Sequence, residues 1–93
     1  MLKIKKGFLL RRLGEEHMAV AIGEASRTFN GMIRLNATGA FYWKELEKGT
    51  TEDELVAKTL EQFEGIDEGT ARRDVKEFLN SIAAAIDENA ADN

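Results

Sequence analysis

Strand-like hydrophobic patterns occupy the first third of the chain. Phe8–Leu13 is rich in aliphatic residues, and residues 17–22 place a methionine, a valine and an isoleucine at alternate positions. The three residues between these runs include a glycine, which is the spacing of a β-hairpin. We therefore predict that the first two strands pair with each other.

A second turn signal separates residues 27–29 from the apolar run Met32–Leu35. Asn30-Gly31 tolerates the positive φ angles that a type I′ hairpin turn requires, so we predict a second hairpin here. If Met32–Leu35 lies at the edge of the sheet, its backbone N–H and C=O groups are unpaired and can dock another strand.

Helical periodicity replaces the strand pattern after residue 35. Asn36 is a favoured N-cap and Gly49 a favoured stop signal for a first helix. Thr51 and Glu54 match a capping box for a second helix, and Asp67 is the predicted N-cap of a third. The three predicted apolar stripes are Leu35, Gly39, Tyr42, Trp43 and Leu46; Leu55, Val56, Leu60 and Phe63; and Ala71, Val75, Phe78, Leu79, Ile82 and Ile86.

The order of these elements indicates the fold class. Three strands followed by three helices predict an α+β fold, a winged helix-turn-helix with a three-stranded antiparallel sheet. A chain of 93 residues suffices for one domain, and we expect residues 1–93 to form it, with a tail that frays from about residue 87. No apolar run approaches the roughly 20 residues that span a bilayer, and no signal-peptide pattern is present. Because cysteine is absent too, we expect a cytoplasmic protein without a membrane partner.

The side chains offer no set of groups for catalysis. His17 is the only histidine, and no glycine-rich segment has the lysine or the spacing of a phosphate-binding loop. The many carboxylates fall on predicted helix surfaces, where solvated or capping roles are typical. We therefore expect no enzymatic activity, no metal and no cofactor.

Charge bears on the class of binding partner. The net charge of −4 argues against duplex DNA, whose affinity for proteins comes mainly from phosphate neutralisation. The basic trio Arg72, Arg73 and Lys76 nonetheless lies near the start of the third helix, as in the recognition helix of a DNA-binding winged helix. A peptide partner and no nucleic acid is the leading interpretation, and a winged-helix nucleic-acid-binding regulator is the alternative.

One segment carries a family resemblance. Residues 29–43, Phe-Asn-Gly-Met-Ile-Arg-Leu-Asn-Ala-Thr-Gly-Ala-Phe-Tyr-Trp, resemble the signature of the pyrroloquinoline-quinone biosynthesis protein D family. Gly49 is similar to that family, as are the pairs Asp74-Val75 and Phe78-Leu79 of the third helix. The likeness extends from about residue 2 to residue 86.

The resemblance implies a specific role. Members of the family are small, non-catalytic recognition elements with a winged helix-turn-helix fold of three strands and three helices. They bind the leader of a ribosomally synthesised precursor peptide and present it to a modifying enzyme, often a radical S-adenosylmethionine enzyme. The leader adds as a further strand to the third strand, in a groove against the third helix.

This implied role suggests a set of site residues. Arg34 and the three basic residues of the third helix would hold acidic leader residues, and Leu79 or an outward strand residue would supply an apolar pocket. Which face of the third strand points outward stays open, because a one-residue slip exchanges the two faces. Whether the protein is a monomer or a dimer is open too. The predicted peptide-binding residues are Phe29, Met32, Ile33, Arg34, Leu35, Arg72, Arg73, Lys76, Leu79 and Asn80.

Overall fold

The part of the chain that the structure describes combines two antiparallel sheets with a layer of helices. The computed structural model describes residues 1–29 and 31–89. The strands are β1 (Lys3–Ile4), β2 (Phe8–Leu13), β3 (Glu16–Ala21), β4 (Met32–Leu35) and β5 (Ile86–Asp87). The main sheet has the strand order β2-β3-β4, and a smaller sheet pairs β1 with β5. The helices are α1 (Ala25–Thr28), α2 (Ala37–Lys48), α3 (Glu52–Gln62) and α4 (Glu68–Ser81), followed by a 3₁₀ turn (Ala83–Ala85).

The three long helices begin where the sequence predicts. The side chains of Asn36, Thr51 and Asp67 each accept a hydrogen bond from the N–H of the third helical residue, at 2.7, 3.1 and 2.7 Å. The capping box of α3 is only half formed, because the Glu54 carboxylate accepts from the Thr50 hydroxyl at 3.0 Å. The predicted α+β, winged-helix-like fold of three strands followed by three long helices is confirmed.

The core lies between the main sheet and the long helices. Trp43 and Leu46 of α2 and Leu55 of α3 are fully buried. The Trp43 ring meets Phe8 of β2 edge-on at a centroid distance of 6.0 Å, which joins the sheet to the first long helix. The predicted stripe of α2 is therefore confirmed as a packing surface.

The predicted second hairpin is wrong. Residues 25–28 form α1, with the Phe29 N–H donating to the Ala25 carbonyl at 2.9 Å, and Asn30 lies outside the described residues. Met32–Leu35 pairs instead with β3, over four residue pairs. The expected partner, residues 27–29, is only three residues long and could form few backbone hydrogen bonds with β4. The longer β3 is therefore the better partner.

Two smaller expectations also change. Leu60 is 36% exposed, whereas the neighbouring Thr59 is buried and donates its hydroxyl to the Leu55 carbonyl at 2.6 Å. A threonine can occupy this core position because the carbonyl one turn earlier accepts its hydroxyl proton. The tail expected to fray from about residue 87 is paired at Asp87 with Lys3, and its residues 90–93 lie outside the described residues.

Candidate functional site

A cleft of about 450 Å³ lies between β4 and α4, and the beginning of α2 closes its base. We call it the β4–α4 groove. From the strand side it is lined by Ile33, Arg34 and Leu35, and from the helix side by Asp74, Glu77, Phe78 and Ser81. Its remaining lining residues are the N-cap and the first turns of α2, so three elements meet at this one surface.

The strand wall of the groove is a free sheet edge. In the described part of the chain β4 pairs with β3 on one side and with no strand on the other. The Ile22 N–H donates to the Gly7 carbonyl at 2.6 Å, and antiparallel hydrogen bonding alternates from that pair along β3. The alternation directs the backbone groups of Ile33 and Leu35 to β3 and those of Met32 and Arg34 to the free edge.

The register also answers which face of β4 points outward. Ile33 and Leu35 turn toward the helices, and both pack in the core. Met32 and Arg34 are exposed on the opposite face, with Met32 54% accessible. An extended segment beside β4 would therefore have an apolar neighbour on its helix-facing side.

Close packing at Gly39 forms the base of the groove. The Gly39 N–H donates to the Asn36 side chain, and a Cβ atom at Gly39 would lie 3.2 Å from the Phe78 ring and 3.4 Å from a Leu35 methyl group. The centroid of the Tyr42 ring lies 5.1 Å from the centroid of the Phe78 ring. The Asn-x-x-Gly part of the sequence signature thus caps α2 and lets α4 approach it.

Charge divides α4 into two sides. Asp74 and Glu77 line the groove, whereas Arg72 points to α3, with its Nη1 3.0 Å from carboxylate oxygens of both Glu52 and Asp53. Lys76 also lies on the α3 side, 4.0 Å from Glu52. The helix wall of the groove is consequently acidic.

The structure brings only part of the predicted site together. Ile33, Arg34 and Leu35 line the groove, and Met32 lies on its free edge. The other predicted residues lie elsewhere. Phe29 packs in the core with its ring 5.6 Å from Phe8, and Lys76, Leu79 and Asn80 line a second cleft of about 310 Å³ beside Leu2 and Ile86. Arg72 forms an ion pair with Glu52 of α3. Arg73 is exposed, and its positive charge contributes to lowering the pKa of Asp67.

Sequence reasoning missed the helix wall of the groove. Asp74, Glu77, Phe78 and Ser81 follow the i, i+3, i+4, i+7 spacing of a single helical face. The sequence contains this spacing. The prediction instead relied on the basic residues of the same helix, two of which lie on its α3-facing side.

Comparison with known proteins identifies the family. The family model of coenzyme PQQ synthesis protein D (PqqD) matches residues 9–85. The chain belongs to the PqqD family. Among solved structures, TbiB1 in complex with the TbiA(beta) leader peptide is similar to this PqqD-family chain, with a TM-score of 0.74 and 24% sequence identity. The similarity covers 97% of this chain and 99% of that one, and it shows a shared fold. No curated protein matches.

The described residues contain neither a membrane-spanning helix nor a cluster of metal-binding side chains. Within residues 1–29 and 31–89, no helix is long and apolar enough to cross a membrane. The same residues hold no group of three or more histidine, aspartate or glutamate side chains placed to bind a metal ion.

Proposed function

We propose that this PqqD-family protein is a non-catalytic peptide-binding protein for the leader of a ribosomally synthesised precursor peptide. The leader adds to β4 as a further strand, and the protein presents it to a modifying enzyme, of which a radical S-adenosylmethionine enzyme is one type. Family membership over residues 9–85 supports the role, and so does the likeness to a protein solved with a leader peptide. A cytoplasmic location and the oligomeric state stay predictions.

The free edge of β4 is the observation that carries the proposal. Met32 and Arg34 offer two N–H and two C=O groups to an incoming strand, and each backbone hydrogen bond contributes about 0.5–1.5 kcal/mol net. A strand added about 4.8 Å beyond β4 lies over the groove. Its inward side chains then meet Phe78 and Leu35, so backbone and side-chain contacts form together.

Two of the three basic residues that motivate the nucleic-acid alternative lie beside carboxylates of α3. Arg72 is 34% exposed and ion-paired at 3.0 Å with two carboxylates, and Lys76 lies beside one of them. Charges neutralised in this way contribute little to phosphate binding. Duplex DNA therefore serves as the control ligand in the test of the peptide proposal.

A ¹⁵N–¹H titration tests the proposal, with the synthetic leader of a precursor peptide encoded beside this gene as the ligand. We expect saturable shifts on Met32–Leu35 and on Asp74, Glu77 and Phe78, and none with duplex DNA. Shifts confined to the second cleft, at Leu79 and its neighbours, would contradict strand addition at β4. The absence of shift changes with the leader peptide would contradict the proposed function.

A pair of proline variants makes the test sharper. Met32→Pro removes an N–H that faces the free edge and adds a ring there, while the bonds from β4 to β3 are retained. Arg12→Pro is the matched control, because the same alternation turns the Arg12 N–H to the free edge of β2. We expect leader binding to be lost in Met32→Pro and kept in Arg12→Pro. Equal binding by both variants would rule out addition at β4.

A further inference from the structure

We infer that the β4–α4 groove selects a leader segment that has a lysine or arginine facing α4, two residues from an apolar residue. This inference rests on the proposed function and adds the chemistry of the ligand. It is opposite in sign to the sequence-based expectation that α4 holds acidic leader residues.

Two carboxylates on the helix wall carry the inference. Asp74 is half-buried and Glu77 is exposed, and both line the groove. Neither forms an ion pair or a side-chain hydrogen bond with another described residue. A carboxylate without a protein partner on the wall of a peptide groove favours a cationic ligand group beside it, because the two can form a charge-assisted hydrogen bond.

Two of the three basic residues of α4 point away from the groove, and the third, Arg73, is exposed and does not line it. Arg72 and Lys76 lie on the side of α4 that faces α3, where Glu52 holds them. Arg34 lines the groove from β4, but its side chain belongs to the sheet face that points away from the helices. An inward leader side chain therefore meets acidic groups on α4, and an outward one meets Arg34.

The spacing of the groove sets the leader pattern. Alternate residues of an added strand face α4 and lie about 7 Å apart. Asp74 and Phe78 are four residues apart, which is about 6 Å along the helix axis. One inward residue can thus pack on the apolar surface of Phe78, Tyr42 and Leu35 while the next inward residue reaches Asp74 and Glu77. The expected leader pattern is therefore an apolar residue, then any residue, then a basic residue, in either direction along the peptide.

Selection from random peptides tests this pattern without a known leader. Phage-displayed random dodecapeptides are selected on the wild-type protein, and one enriched peptide is synthesised with its basic residue as lysine, glutamine or glutamate. Binding is measured by fluorescence anisotropy. The test protein is Asp74→Asn/Glu77→Gln, and the control is Glu61→Gln/Glu64→Gln, which changes the net charge equally at exposed residues outside the groove.

We expect enriched peptides to carry lysine or arginine two residues from an apolar residue. Asp74→Asn/Glu77→Gln should weaken the lysine peptide about tenfold, the control should change its affinity less than about twofold, and the glutamine peptide should respond to neither. Replacing the lysine by glutamate should weaken wild-type binding further than glutamine does.

The possible results separate the inference from the function. If peptides bind wild type and lose binding to Met32→Pro, but basic residues are not enriched and the groove carboxylates have no effect, the charge inference is wrong and peptide binding stands. If no peptide is enriched, or if Met32→Pro binds as wild type does, the proposed function fails and the inference fails with it.

Discussion

The N-cap of α2 is the sharpest test of how the sequence signature builds the groove. The Asn36 side chain accepts from the Gly39 N–H at 2.7 Å, and this N–H has no partner within the helix. Because Gly39 is buried, water cannot fully replace the lost acceptor in Asn36→Ala. We therefore expect a loss in the upper half of the usual range for caps, about 1–2 kcal/mol of unfolding free energy.

Thermal and urea denaturation followed by circular dichroism measure this loss. For a domain of 93 residues, about 1 kcal/mol corresponds to a fall in Tm of about 4–8 °C. Asn36→Asp and Asn36→Ser are the matched controls, since each keeps an acceptor oxygen at the cap and should lose less than about 0.5 kcal/mol. If Asn36→Ala unfolds within about 0.3 kcal/mol of wild type, or if the serine variant is as unstable as the alanine variant, the cap does not stabilise α2.

Three further substitutions test the packing of the core, the turn at Gly49 and the pH dependence of stability. Leu46→Ala removes a fully buried side chain from the core and should cost about 2–5 kcal/mol in urea denaturation, enough to leave a small domain partly unfolded. Gly49→Ala should cost about 1–3 kcal/mol in the same assay, because φ is +93° and the new Cβ would lie 2.8 Å from the Met1 sulfur. The N–H of Thr70 lowers the pKa of Asp67 below its ordinary 3.8, so the stability from Asp67 is present above that value and is lost as pH falls through the lowered pKa. Asp67→Asn should therefore show a smaller drop in Tm than wild type between neutral and strongly acidic pH.

Features that depend on neighbouring residues were predictable from the sequence. An N-cap needs one acceptor side chain and an N–H three residues later, and the predictions at Asn36, Thr51 and Asp67 are all confirmed. The stripe of α2 was predictable for the same reason, because helical periodicity fixes which residues share a face. Such features are readable because no distant segment has to be known.

Features that depend on distant segments were not predictable in the same way. Met32–Leu35 was expected to pair with its immediate neighbour, but β3 offers a longer partner. The pairing of Lys3 with Asp87 joins residues that are far apart in the sequence, and no local pattern predicts it. Two-residue strands have too few positions to show an alternation.

The charge of the groove shows most clearly why the site was harder to predict than the fold. Periodicity centres the buried stripe of α4 on Val75 and leaves Phe78 and Leu79 half-buried on its two flanks. Phe78 shares its flank with Asp74 and faces β4, whereas Leu79 shares its flank with Lys76 and faces the small sheet. The sequence presents both flanks equally, and only the placement of the sheet decides which one meets the free edge of β4. An acidic helix wall rather than a basic one follows from that placement, and with it the sign of the charge that the leader is expected to carry.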